Sequence, residues 1–283
     1  MAGNNMRDIK RRIKSSTSMG QITKAMKLVS AAKLRKAKST FDRTQKNLNL
    51  VAESIEGVFH NTHDVPHQYL EGNREIKNTA YIIMTSNRGL CGSFNTNVIK
   101  EAQAIIAKDS GKPAIFAIGS KGRDFFAKRG YDVKGEYLLP PENISFSDAR
   151  NILARPIIRL YDSGEIDKVV LIYTRFVSPL VQNATAITLF PLTVKGDSAE
   201  QPPLGEEVEY EPSPEEVFDY LIAKYVEIKL YSAIVESATC EHAARRLAMD
   251  SATDNANEMI ADLTLTYNRA RQAAITREIS EIV

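Results

Sequence analysis

Residues that break helices are confined to the middle of this chain. All 11 prolines lie between Pro66 and Pro214, and no glycine follows Gly205. Proline in a helix interior costs about 3 kcal/mol and glycine about 1 relative to alanine, so a chain that needs long uninterrupted helix must exclude both. The exclusion covers residues 1–65 and 215–283, apart from Gly3, Gly20 and Gly57. At about 1.5 Å of rise per residue, such segments would reach on the order of 80–100 Å, which no compact domain can bury. Periodic segments of this length mean a coiled coil, a membrane span or a helical repeat. Neither end carries a long uncharged apolar run, which removes the span, and no internal repeat is evident.

The spacing of apolar residues predicts what those ends do. The first helix reads from Met6 to His60, with Ile22, Met26 and Val29, and later Leu48, Val51, Ile55 and Val58, forming one seam at steps of three and four. Ser30, Ala31 and Ala32 are small enough to let a partner helix approach closely. Gly20, between Met19 and Gln21, is expected to soften the helix locally. The last helix opens at Pro212-Ser213-Pro214-Glu215-Glu216, where proline is tolerated and carboxylates suit the positive end of the helix dipole. It then carries Val217, Leu221, Tyr225, Ile228 and Val235, followed by Ile260, Leu263, Tyr267, Ala270 and Ala274. An antiparallel pair is the simplest closure for two such helices flanking a globular middle, and pairing with another chain stays open.

The middle differs in kind. Tyr81–Thr85, Ala114–Ile118, Lys168–Tyr173 and Ala184–Phe190 are short runs of Ile, Val, Tyr and Thr and read as strands. Between them Asn95–Lys108, Lys121–Arg129 and Ser147–Tyr161 have helical composition, with a kink expected at Pro156. Strand and helix alternate, so the predicted fold is α/β, a mostly parallel sheet flanked by helices, joined to a long antiparallel coiled coil. The segments are 1–60 (first coiled-coil helix), 61–212 (central α/β domain) and 213–283 (last coiled-coil helix), with residues 196–214 as linker.

With 43% hydrophobic and 25% charged residues the composition is that of a soluble folded protein. Cys91 and Cys240 stand far apart without CxxC spacing, as expected of plain thiols in a reducing compartment. The start is basic and lacks the apolar stretch of a secretory signal; residues 19–37 continue the helix pattern, which argues against a removable transit peptide. Arg7, Lys10, Arg11, Arg12, Lys14, Lys24, Lys27, Lys33, Arg35, Lys36 and Lys38 face only Asp8 as a counter-charge in their segment. Such a stripe is either a solvated helix face or a surface for an acidic partner.

Three segments suggest chemistry. Ser86-Asn87-Arg88-Gly89-Leu90-Cys91-Gly92-Ser93-Phe94-Asn95 follows a strand and precedes a helix, where α/β folds hold phosphates. It lacks both GxGxxG and GxxxxGK[ST], so a tight turn or a partner contact is the simpler expectation. His60, His63, Asp64 and His67 resemble a metal cluster, but Pro66 interrupts them and HExxH is absent, so a polar linker is expected. Cys240-Glu241-His242 places a nucleophile beside a base, yet adjacent helical positions do not face one another. Catalysis by this chain is therefore not expected.

The first helix contains Ile9-Lys10-Arg11-Arg12-Ile13, Ile22-Thr23-Lys24-Ala25-Met26-Lys27-Leu28-Val29 and Ala31-Ala32-Lys33-Leu34-Arg35-Lys36-Ala37. The last contains Ala248-Met249-Asp250-Ser251-Ala252-Thr253-Asp254-Asn255-Ala256 and Tyr267-Asn268-Arg269-Ala270-Arg271-Gln272-Ala273-Ala274-Ile275-Thr276-Arg277-Glu278-Ile279. Together with Thr85–Gly92, these resemble the gamma-subunit family of F-type ATP synthases in order and total length. The resemblance implies a non-catalytic rotor shaft without a cofactor. Its coiled coil would turn inside a ring of alpha and beta subunits, and its lower part, with the epsilon subunit, would rest on the ring of c subunits. It implies beta-subunit contacts at Lys24, Met26, Lys27, Cys91, Arg271, Gln272 and Thr276, and a c-ring contact at Tyr210 and Glu211. It also implies a peripheral location on the cytoplasmic face of a bacterial cell membrane, and no nucleic-acid partner. The cysteine pair inserted in the plastid form is absent, so no thiol switch of that type is expected. Two rival readings are a basic coiled coil tracking DNA, which predicts salt-dependent DNA affinity, and a nucleotide-binding α/β enzyme, which predicts nucleotide turnover.

Overall fold

The computed structural model describes residues 2–61, 69–70, 75–109, 111–137, 144–192 and 211–282. Helix α1 (Ala2–Asn61) opens the chain, followed by β1 (Asn78–Met84), α2 (Phe94–Ile106), β2 (Lys112–Ile118), α3 (Ser120–Ala127) and β3 (Val133–Tyr137). A single turn, α4 (Phe146–Asp148), leads through a π-helix (Ala149–Ala154) into α5 (Arg155–Asp162). Strands β4 (Lys168–Phe176) and β5 (Gln182–Phe190) and the closing helix α6 (Pro214–Ile282) complete the order. The sheet order is β3-β2-β1-β4-β5, with every neighbouring pair parallel except the antiparallel β4–β5 hairpin.

Strand β1 is buried from Thr79 to Met84, as a central parallel strand covered on both faces must be. Its alternation splits the core. Tyr81 and Ile83 meet Val98, Ala102 and Ile106 of α2 on one face. Ala80, Ile82 and Met84 meet Leu153, Ile157 and Tyr161, and beyond them Phe218, Ile222, Val226 and Leu230 of α6, on the other. Helix α6 is therefore at once a core helix of the α/β body and one strand of the rod: Ser232 to Ala243 is buried without a break.

Two carboxylates fix the foot of the sheet. Asp167 accepts the N–H groups of Lys77 and Asn78 at 3.0 and 2.9 Å, and Asp109 accepts the hydroxyls of Tyr81 and Thr79 at 2.7 and 3.1 Å. Burial pushes the Asp109 carboxyl up, but the bonds from Tyr81, the Gly111 amide and Thr79, with Lys168 nearby, outweigh it and hold the group below its ordinary range.

The structure differs from the sequence reading at two places. A fifth strand, β3, forms at the sheet edge from Val-Lys-Gly-Glu-Tyr, whose glycine and two charges hide its strand character but suit an edge. Pro156 does not kink a helix: it occupies the first turn of α5, after a π-helix whose wide turn places the Arg155 N–H on the Arg150 carbonyl. Gly20 lies inside continuous helix and faces Ala256.

Candidate partner interface

Helices α1 and α6 pair antiparallel. Lys27 forms an ion pair with Asp250, the Thr253 hydroxyl meets that of Thr23 at 2.8 Å, and the Ser16 hydroxyl meets the Met259 sulfur at 3.3 Å. The buried positions of α1 are Ile9, Gly20, Thr23, Ser30, Thr44, Leu48 and Ile55, which fall on one seam of alternating three and four residue steps. Leu48, Val51 and Ile55 were expected there. Ile22 and Val29 were expected there too, but they are 54% and 57% exposed, as are Met19 and Leu28 in large part. The seam at this level runs instead through small and hydroxylated residues, because the two backbones approach closely: a Cβ on Gly20 would stand 3.5 Å from that of Ala256. On α6 the expected seam holds, with Ile260, Leu263, Tyr267, Ala270 and Ala274 half-buried between exposed neighbours.

Close pairing through small residues turns large apolar side chains outward. Met259, Leu265, Ile275 and Ile279 of α6 join Met19, Ile22, Leu28 and Val29 of α1 on the surface of the rod. A rod that displays this much apolar surface beside a basic stripe is built to be enclosed by another surface.

The sequence-derived contact residues fall at separate levels of this rod. Lys24 is exposed and Met26 half-buried, whereas Lys27 is engaged across the coiled coil by Asp250. Arg271 and Gln272 are exposed; Thr276 is exposed as well, with its hydroxyl bonded to the Gln272 carbonyl at 3.0 Å. Asp250 to Arg271 spans roughly 30 Å of helix, so the two groups form distinct contacts.

The loop after β1 is closed on itself and on α6. The Ser86 amide donates to Asn95 Oδ1 at 2.8 Å and the Ser86 hydroxyl to the Arg88 carbonyl at 2.6 Å. Arg245 of α6 donates to the carbonyls of Gly89 and Arg88 at 3.3 and 3.4 Å and to Glu241 at 2.6 Å. Cys91 is only 2% exposed and packs against Phe94 and Cys240; burial pushes both thiols up, away from reactivity. The outward residues of this loop are Arg88, Gly89, Leu90, Gly92 and Ser93, with Leu90 62% exposed at a φ of +62°. Sequence reasoning missed Arg245, whose one visible signal is the i,i+4 pairing with Glu241.

The crevice beyond the carboxyl ends of β1 and β4, where strand order reverses and α/β sheets hold nucleotides, is narrowed by α6 to a cavity of about 280 Å³ lined by Cys91, Phe94, Thr174, Ala184 and Ala244. Cys240 donates to the Thr174 carbonyl at 3.4 Å, and Glu236 accepts the Phe176 amide at 2.9 Å. Glu211 is exposed just before α6. Tyr210, His63, Asp64, His67, the side chains of Val58 and His60, and linker residues 196–210 lie outside the described residues. Among the described residues no group of His, Cys, Asp and Glu is arranged to hold a metal, and no helix is long and apolar enough to cross a membrane.

The ATP synthase family model matches residues 5–283. An ATP synthase gamma chain of Alkaliphilus metalliredigens is 50% identical over 284 residues, covering 99% of this chain and 97% of its own. A chain of Acetobacterium woodii described as ATP synthase gamma chain, sodium ion specific, is 42% identical over 295 residues, covering 99% and 97%. Among solved structures, a chain of the Euglena gracilis mitochondrial ATP synthase aligns with a TM-score of 0.70 at 20% identity, covering 99% of this chain and 93% of that one. A chain of the Tetrahymena thermophila mitochondrial ATP synthase central stalk and c-ring aligns at 0.63 with 24% identity, covering 82% and 99%. With a family match along almost its whole length and a relative sharing half its residues, this chain belongs to the gamma-chain family of ATP synthases.

Proposed function

We propose that the chain is the central rotor shaft of an F-type ATP synthase, itself non-catalytic, carrying rotation of a c-subunit ring to the catalytic beta subunits. The observation that carries this reading is the helix pair: α1 and α6 run 60 and 69 residues, and α6 continues from the rod into the core of the α/β body. A pair packed along a seam resists bending better than either helix alone. Its outer surface of apolar side chains and isolated charges suits contacts that must break at every step, since exposed ion pairs contribute about 0–1 kcal/mol each.

In this reading Lys24 and Met26 face the beta subunits at one level, and Arg271, Gln272 and Thr276 at another. Lys27 contributes chiefly by holding α1 to α6. The loop that carries Cys91 meets a beta subunit through Arg88 and Leu90, with the thiol as an internal packing group. Tyr210 and Glu211 form the foot on the c ring, beside the epsilon subunit. The gamma chains of Alkaliphilus metalliredigens and Desulforamulus reducens among its relatives support a peripheral place on the cytoplasmic face of a bacterial membrane.

The test is to purify the complex through a tag on this chain and follow ATP hydrolysis together with ion pumping. Co-purification of alpha, beta and epsilon subunits with ion-coupled turnover is expected. Recovery of the chain alone, or nucleotide turnover by the isolated chain, would overturn the reading.

A further inference from the structure

A basic cleft of about 510 Å³ lies between α5 and the first turns of α6, on the side of the body away from the Cys91 loop. Arg150, Arg155 and Arg159 line one wall, and Lys224 and Tyr220 the other, with Glu227 at the floor. Glu227 is answered by Lys224 at 3.4 Å and more loosely by Arg155 at 3.9 Å. Arg150 and Arg159 have no ion-pair partner among the described residues, and the Arg150 Nε is buried without an acceptor. Four cations against one carboxylate leave a net surplus of positive charge in a concave site.

The backbone is shaped to make this cluster. On a continuous α-helix Arg150 and Arg155 would stand about 140° apart around the axis. The π-helix at Ala149–Ala154, closed by the Arg155 N–H to Arg150 carbonyl bond, brings the fifth residue back to nearly the same face, in line with Arg159 one α-turn further. A wide turn of this kind is rare, and here it serves to converge three guanidinium groups. Ile158 and Ala223 give the cleft an apolar patch, and Tyr220 is 65% exposed at its rim.

From this geometry we propose that the α5–α6 cleft is a binding site for a soluble, compact phosphate anion of diphosphate type. Planar guanidinium forks match phosphate oxygens bidentately, and the unanswered donors of Arg150 and Arg159 supply the first contacts. Lys224 adds a point charge on the opposite wall. The dimensions are those of small-molecule sites, and the site goes beyond the rotor reading because it requires none of the proposed subunit contacts.

Inorganic pyrophosphate titrated into the full chain at low ionic strength, followed by calorimetry, tests the proposal. Saturable binding at one site is expected, weakened about tenfold or more by Arg150→Ala with Arg159→Ala. Arg159→Ala alone, which leaves the π-helix untouched, should show part of that loss with unchanged circular dichroism. A control, Arg11→Ala with Lys14→Ala on α1, removes equal charge and should leave affinity within about twofold, because exposed charges that distant are screened. Absence of saturable binding at millimolar pyrophosphate, equal weakening by the α1 control, or binding seen only with vesicles of anionic phospholipid or with an acidic peptide would overturn it.

Discussion

Gly20 sits in the interior of α1, in the seam, opposite Ala256 of the other long helix. Replacing it with alanine should stabilise the rod. Alanine is favoured over glycine in a helix interior by about 1 kcal/mol, and this gain is independent of contacts. The new methyl would stand 3.5 Å from the Ala256 Cβ, an ordinary van der Waals separation, so no overpacking cost opposes it. Burying that methyl adds a fraction of the about 0.8 kcal/mol that a buried CH₂ contributes, since Gly20 is already shielded. A net gain of about 1–1.5 kcal/mol corresponds to roughly 5–13-fold slower hydrogen exchange through local opening. Exchange measured by mass spectrometry on peptides covering residues 16–30 and 249–260 reads this directly. Gly20→Leu is the counter-test, because its longer side chain must push Ala256 away and should speed exchange in both peptides. Faster exchange in Gly20→Ala would refute the reasoning, and with it the register in which Gly20 opposes Ala256.

Arg245→Met should free the Arg88–Leu90 loop and remove the buried 2.6 Å ion pair with Glu241, at a cost of about 1.5–3 kcal/mol in denaturant unfolding. Adding Glu241→Leu should restore most of it, and failure of the second change to rescue would show that the loop contacts dominate. Asp109→Asn should cost about 1–3 kcal/mol at neutral pH by weakening the bonds to Tyr81 and Thr79. Because the folded Asp109 carboxyl titrates below its ordinary range, its contribution is present above the unfolded value and fades as pH falls through the folded one. Unfolding measured from pH 7 downward should therefore show a flatter acid limb in the variant than in the parent. Arg271→Ala with Gln272→Ala should lower coupled ATPase activity of the assembled complex while changing the stability of the isolated chain by less than about 0.5 kcal/mol, both residues being exposed. Unaltered assembly and turnover would remove these two from the contact surface.

Proline and glycine placement announced the two long helices, and short β-branched runs announced four of the five strands, because each signal acts on the local backbone. The outer half of the α6 seam, Ile260 to Ala274, was legible for the same reason: apolar residues recur there at coiled-coil steps. On α1 that rule misled at Ile22 and Val29. Where two backbones nearly touch, the seam needs glycine, serine and threonine, and the large side chains are displaced outward. The burial of Cys91 could not be read from its loop, since it depends on Arg245 and Cys240, about 150 residues further along the chain. The π-helix was equally invisible: nothing in Ala-Arg-Asn-Ile-Leu-Ala distinguishes a wide turn from an ordinary one, and Pro156 drew attention to the wrong deformation.

From Ser232 to Ala243 helix α6 is clamped on one flank by the sheet and on the other by its long partner, with no flexible joint between body and rod. It behaves like a shaft keyed into its hub. A load applied to the sheet passes into the axle without slip, and whatever elastic wind-up the assembly stores must reside further out, beyond Asp250, where only two helices share the strain.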